Sequence, residues 1–234
     1  MKLAIMQPYF LPYLGYFQLV QAVDAFVIYD DIKYTKQTWI NRNRILVNGT
    51  HQFITLPVAQ ASDSLDIRDR WLVPGFAGYR AKLERKVASA YQPAPHFPEA
   101  FAWLLDGLKH HDLNLFKFLH HLLLHTLNRL SIRVPLIISS SLGLPRTLVG
   151  QERVIAICQA LKATHYINPP GGRALYDRHS FWAADIKLSF LTPRFAPYQQ
   201  FKHPFISDLS VLDAMMFNGA EGLAKLLKNH DITD

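Results

Sequence analysis

Two hydrophobic periods alternate along this chain. Residues 2–6, KLAIM, form a short apolar run that stops at Gln7-Pro8, as a buried strand does when it runs into a loop. Gly15 to Ala22 follows at helical spacing, and AFVIYDD, residues 25–31, is a β-branched and aromatic run ending on two carboxylates. Strand, glycine-containing loop, helix and strand make a βαβ opening. RILVNGTHQFITLPV, residues 44–58, sets Asn48-Gly49 between two apolar runs and predicts a β-hairpin.

The period then becomes helical. FAGYRAKLERKVASAY, residues 76–91, places Phe76, Tyr79, Leu83, Val87 and Tyr91 on one stripe. After the Pro-rich break QPAPHFP, the segments 99–111 and 112–130 read as two more helices, the second capped by Asp112. Strand and helix signals return in VPLIISSSL, GQERVIAICQALKA, THYIN and KLSFLTP, with PPGG as a tight turn after THYIN. Ser210 and Asp213 are spaced like a capping box, and Asn218-Gly219 ends the helix they open. The expected fold is a single α/β domain over 1–234: a Rossmann-like parallel sheet flanked by helices. A helical insertion is expected at about 74–130 and C-terminal helices at about 207–230.

Parallel sheets of this kind bind ligands beyond the carboxyl ends of their strands. Gln7, Pro8, Asp30, Asp31, Asn168 and the PPGG turn all follow predicted strands and so share one rim. Gly15 and Tyr16 open the first helix, where free N–H groups attract phosphate, and Tyr9, Tyr13 and Tyr16 suit stacking on a ring. The same aromatics also suit a packed core. Asp30 and Asp31 point to opposite sides, so at most one faces a pocket from the strand, as base, ribose acceptor or Mg²⁺ ligand. Otherwise they cap a helix or pair with Lys33 or Arg42. Lys33, Lys36, Arg42 and Arg44, interleaved with Trp39 and Asn41, fit a nucleotide diphosphate or a solvated basic loop. In the turn, Gly171 and Gly172 allow close backbone approach and Arg173 offers an anion clamp, although no P-loop lysine follows.

Charge supports an anionic ligand without specifying it. Lys+Arg 25 against Asp+Glu 18 gives +7 and a pI of about 9.5, yet no block of like charge marks a nucleic-acid arm. Cys158 is alone, on a helical stripe with Val154, Ile157 and Leu161, and reads as a core thiol. His121 and His125 stand four apart with no third ligand in a recognisable motif, so no metal site is expected. Serine and cysteine nucleophile signatures are missing. The first residues lack a signal-peptide pattern, and Gln7, Pro8 and Pro12 interrupt any membrane span, so the expected location is the cytoplasm.

IMQPYFLPYLGYFQLV, FVIYDDIKYTKQTWINRNRI, YINPPGGRALYD and LSVLDAMMFNG together resemble the WbqC-like protein family of bacterial polysaccharide and O-antigen gene clusters. That resemblance implies transfer of an acyl or aminoacyl group, with glycyl the suggested one, onto an amino sugar carried on a nucleotide. Asp30 or Asp31 would then be base or metal ligand, with Gln7 and Tyr16 orienting and the Lys/Arg set clamping phosphates. The partner is a nucleotide or nucleotide-sugar, with ATP and Mg²⁺ admitted as cofactors and an aminoacyl-tRNA as the one nucleic-acid donor considered. A weaker similarity links YLGY to the H-x-G-H signature of class I synthetases and nucleotidylyltransferases. Tyr13 and Tyr16 replace both histidines, and a tyrosine cannot carry an imidazolium's charge. Adenylate-forming chemistry is the alternative this leaves open. A non-catalytic partner of a glycosyltransferase complex, touching the membrane peripherally, is another.

Overall fold

The computed structural model describes residues 1–234. Its main sheet has six strands in the order β5-β2-β1-β6-β7-β8. They are β1 (Lys2–Met6), β2 (Ala25–Ile28), β5 (Leu136–Ile138), β6 (His165–Asn168), β7 (Lys187–Pro193) and β8 (His230–Thr233). The first five run parallel, and β8 pairs antiparallel with β7. The separate hairpin is β3 (Arg42–Val47) with β4 (Thr50–Thr55), turned at Asn48-Gly49 as the sequence predicts. The chain moves outward from β1 through β2 to β5, then returns to pair β6 with β1 and continues outward on the other side. The reversal between β1 and β6 is a topological switch point, and it opens a crevice at their carboxyl ends.

Both faces of the sheet are covered, unequally. Alternation sends Ala4, Phe26, Ile28 and Ile167 to one side and Leu3, Ile5, Val27 and Tyr166 to the other. The first side carries α1 (Leu14–Gln21), the hairpin, α2 (Phe76–Tyr91), α3 (Phe97–Gly107), α4 (Leu115–Arg129), α7 (Val211–Phe217) and α8 (Ala220–Lys228), all joined in one core of 47 buried residues. The second carries α5 (Gly150–Ala160) and α6 (Arg178–Trp182) over 13. Cys158 lies in the smaller core with Val154 and Ile157, and burial pushes its thiol up to about 12, so it packs as an inert hydrophobe.

The helices differ from expectation mainly at their ends. Asn114, not Asp112, caps α4: its side chain accepts from the Lys117 N–H at 3.1 Å, while Asp112 accepts from Asn114 itself at 2.9 Å. α3 stops at Gly107, short of His110. Ser210 caps α7, but Asp213 does not close the expected box. Its buried carboxylate accepts instead from Tyr91 (2.8 Å), Tyr198 (2.7 Å) and Gln200 (2.7 Å). Sequence reading missed α6 and β8. Among these helices, none is long and apolar enough to cross a membrane.

Candidate functional site

The crevice over the switch point holds three adjoining cavities. The central one, about 520 Å³, is lined by Gln7, Tyr9, Tyr29, Asn168, Gly171 and Gly172, with Gly150 at the start of α5. It shares Tyr29, Ile32 and Gly150 with a cavity of about 280 Å³ on the α5 side. It shares Met6, Tyr9, Pro169 and Gly171 with one of about 410 Å³ on the α1 side. The floor needs its glycine: a Cβ on Gly172 would lie 1.7 Å from Asn168 Nδ2. Asn168 Oδ1 in turn accepts from the Tyr166 hydroxyl at 3.1 Å, which fixes the amide.

The α5 arm is charged. Lys33, Arg146 and Arg153 line it with Asp31 and Asp66, three cations against two carboxylates. Each carboxylate is ion-paired, Asp31 to Arg153 and Asp66 to Arg146. Arg153 is buried and also donates to the carbonyls of Leu144 (3.0 Å) and Pro145 (2.8 Å). Asp31 Oδ1 is left without a protein partner. Burial pushes the Tyr29 hydroxyl up to about 12 against the pull of Arg153, so it remains a neutral donor. A Mg²⁺ ion would find both carboxylates already neutralised by arginine, and no three His, Cys, Asp or Glu side chains converge as ligands.

The α1 arm is aromatic. Tyr9, Tyr13, Trp39 and Phe195 wall it, with Asn43, Arg44 and Asp208 at its polar edge. Three separate segments meet here and are tied by backbone bonds. Asn43 Nδ2 donates to the Phe10 and Leu11 carbonyls (3.1 and 2.8 Å), and Ser210 Oγ donates to Leu11 (2.8 Å). Arg44 accepts from the Ser210 N–H at 2.9 Å and donates to the Asp208 carbonyl at 2.9 Å, with its guanidinium 5.3 Å from the Trp39 ring centre. Burial, with the nearby charges of Tyr9 and Asp208, pushes the Tyr13 hydroxyl up to about 12.

The WbqC-like protein family matches residues 7–225, from Gln7 in the crevice into α8. This chain belongs to that family. It is also similar to uncharacterized protein Rv1507c of Mycobacterium tuberculosis, 32% identical over 232 residues that cover 94% of this chain and 95% of the relative. No solved structure matches it.

In this WbqC-like chain the crevice gathers Gln7, Tyr9, Asp31, Lys33, Trp39, Arg44, Asn168, Gly171 and Gly172 from the sequence-predicted set. The others lie elsewhere. Asp30 turns inward, accepting from the Ser140 N–H (2.9 Å) and hydroxyl (2.7 Å), and so holds the turn after β5. Tyr16 is 1% exposed and donates to the Gln7 carbonyl at 3.1 Å, acting as a brace beneath the crevice. Gly15 is tightly packed: a Cβ there would lie 2.4 Å from the Tyr13 ring and 2.7 Å from Pro193. Lys36 pairs with Asp63 at 3.0 Å in solvent, buried Asn41 donates to the Leu56 carbonyl at 3.1 Å, and Arg42 lies over the Phe53 ring. Arg173 lies over Phe190 and donates to Thr233 Oγ1 at 2.6 Å, which directs it to the sheet edge. His121 and His125 stack with His110 and Trp103. Sequence reading did not single out Arg146, Arg153 or Asp208. Their signal is spatial, since Arg153 meets Asp31 across 122 positions.

Proposed function

We propose that this chain is a transferase of bacterial surface-polysaccharide assembly. It binds a nucleotide-linked amino sugar along the crevice, and the sugar amine attacks the carbonyl of an acyl or aminoacyl ester, such as a glycyl-tRNA. An amide C–N bond forms as the ester C–O bond breaks, and the donor's hydroxyl leaves with the amine's proton. The nucleotide half takes the charged arm, where Lys33, Arg146 and the uncapped N–H groups at the start of α5 favour phosphate. The sugar takes the aromatic arm. The observation that carries this reading is the join itself: one crevice at a switch point, net positive at one end and ring-walled at the other. Adenylate-forming chemistry through the YLGY turn has less support, because Gly15 is covered by Tyr13 and Pro193 and the Tyr16 hydroxyl is already bonded.

Calorimetry with ATP-Mg²⁺, UDP, dTDP and a dTDP-amino sugar tests the proposal. The expected result is preference for a nucleotide-sugar, weakened about tenfold by Lys33→Ala through loss of one charge-assisted contact. Preference for ATP would return the adenylate-forming alternative, and silence from the whole panel would end the nucleotide reading.

A further inference from the structure

Four carboxylates stand at or just behind the crevice, and three are engaged. Asp30 is bonded to Ser140, Asp31 is paired with Arg153, and Asp66 is paired with Arg146. Asp208 differs. Its carboxylate has no cationic partner and accepts only from the hydroxyl of its neighbour Ser207, at 2.7 Å through Oδ2. The Arg44 guanidinium binds its main-chain carbonyl instead.

The backbone around it is held in an uncommon shape. Asp208 has φ +57°, in the left-handed region where aspartate is tolerated but few other side chains are. Arg44 secures that turn from both ends, through the Asp208 carbonyl and the Ser210 N–H. A strained residue fixed by its surroundings at the edge of a cavity marks a group whose direction matters. Asp208 lines the arm walled by Tyr9, Tyr13, Trp39 and Phe195, and its charge lies near enough to Tyr13 to help raise that hydroxyl's pKa. Ring faces attract a cation, and an unpaired carboxylate among them adds a charged acceptor.

We infer that Asp208 is the residue that recognises the amine of the acceptor sugar. In the binding step the amine, as ammonium, hydrogen-bonds the free Asp208 oxygen while the rings hold the apolar face of the pyranose; it releases one proton to solvent before its nitrogen attacks. This rests on the function proposed above. It makes Asp208 the determinant that separates an amino sugar from its hydroxyl counterpart, which offers one weaker, uncharged donor.

The test is calorimetric, with dTDP-4-amino-4,6-dideoxyglucose and its hydroxyl counterpart dTDP-6-deoxyglucose titrated into wild type, Asp208→Asn and Asp208→Gly. Glycine accepts the left-handed φ without strain, so it keeps the turn should asparagine fail to fold. Wild type is expected to prefer the amino sugar about tenfold, and both variants to lose that preference while binding dTDP-6-deoxyglucose within about twofold of wild type. Retention of the preference in either folded variant overturns the role of Asp208 and leaves the transferase reading standing. Failure of wild type to bind either nucleotide-sugar removes that reading, and this inference with it.

Discussion

The two arms of the crevice use polar residues in opposite ways. On the α5 side, Asp31 and Asp66 are each neutralised by an arginine brought from 122 and 80 positions away, and Arg153 is buried in the process. On the α1 side, the polar side chains of Asn43, Arg44 and Ser210 are spent on main-chain carbonyls, and the one carboxylate has no cationic partner. Charge density therefore does not mark where bonding capacity is left unfilled. The charged arm is largely self-satisfied, and its free capacity lies in Lys33 and the helix end. The aromatic arm carries less charge and more unfilled bonding capacity.

The sharpest way to break this comparison is to remove one member of the buried pair. Arg153→Ala leaves the Asp31 carboxylate uncompensated and is expected to cost roughly 3–5 kcal/mol, read as a lower urea midpoint. Replacing both, as Asp31→Leu with Arg153→Met, should recover most of that loss, because the pair itself contributes little net stability. Should the double variant be as unstable as the single one, the Arg153 bonds to Leu144 and Pro145 dominate instead.

A smaller effect is expected on the aromatic side and depends on pH. Asp213 accepts from Gln200, whose Oε1 accepts from the Ile206 N–H, and so anchors the loop that leads to Asp208. Burial raises the Asp213 pKa above its ordinary value. The folded chain then holds a proton that the unfolded chain has released. Its contribution to stability is complete below the ordinary aspartate value and is lost as pH rises through the raised one. Asp213→Ala removes the titrating group and should flatten stability against pH over that window. Urea titrations of both proteins across the acid range check it; parallel curves would contradict it.

Smallest of all, Lys33→Ala should change stability by no more than about 0.5 kcal/mol while still weakening the nucleotide, since Lys33 is exposed and unpaired. A thermal shift beside the ligand titration separates the two effects.

Periodicity and turn chemistry made most of the framework legible. β1, β2, β6, the hairpin and α2 follow from runs that name their own structure. β8 was illegible because HDIT has no strong strand pattern and becomes one only against the open edge of β7. The rim was also legible, since a strand followed by Gln7 and another ending on Asn168 needed only the parallel-sheet rule. What each rim residue does was not. Alternation correctly separated Asp30 from Asp31, but their partners Ser140 and Arg153 lie 110 and 122 positions on. Asp208 falls one residue before LSVLDAMMFNG, outside that motif, and its environment exists only once Arg44 closes the turn.

The strand order also sets a timetable. β1 is the central strand, yet its partner β6 is made far later, and the N-terminal ammonium meets Thr164 across 163 positions. At roughly 5–20 residues per second of synthesis, the inner edge of β1 stays unpaired for roughly 10–30 s. Over that interval Leu3 and Ile5 sit on an open strand edge, the kind that recruits foreign strands. Slower synthesis therefore lengthens the time for which that edge is open to a foreign strand.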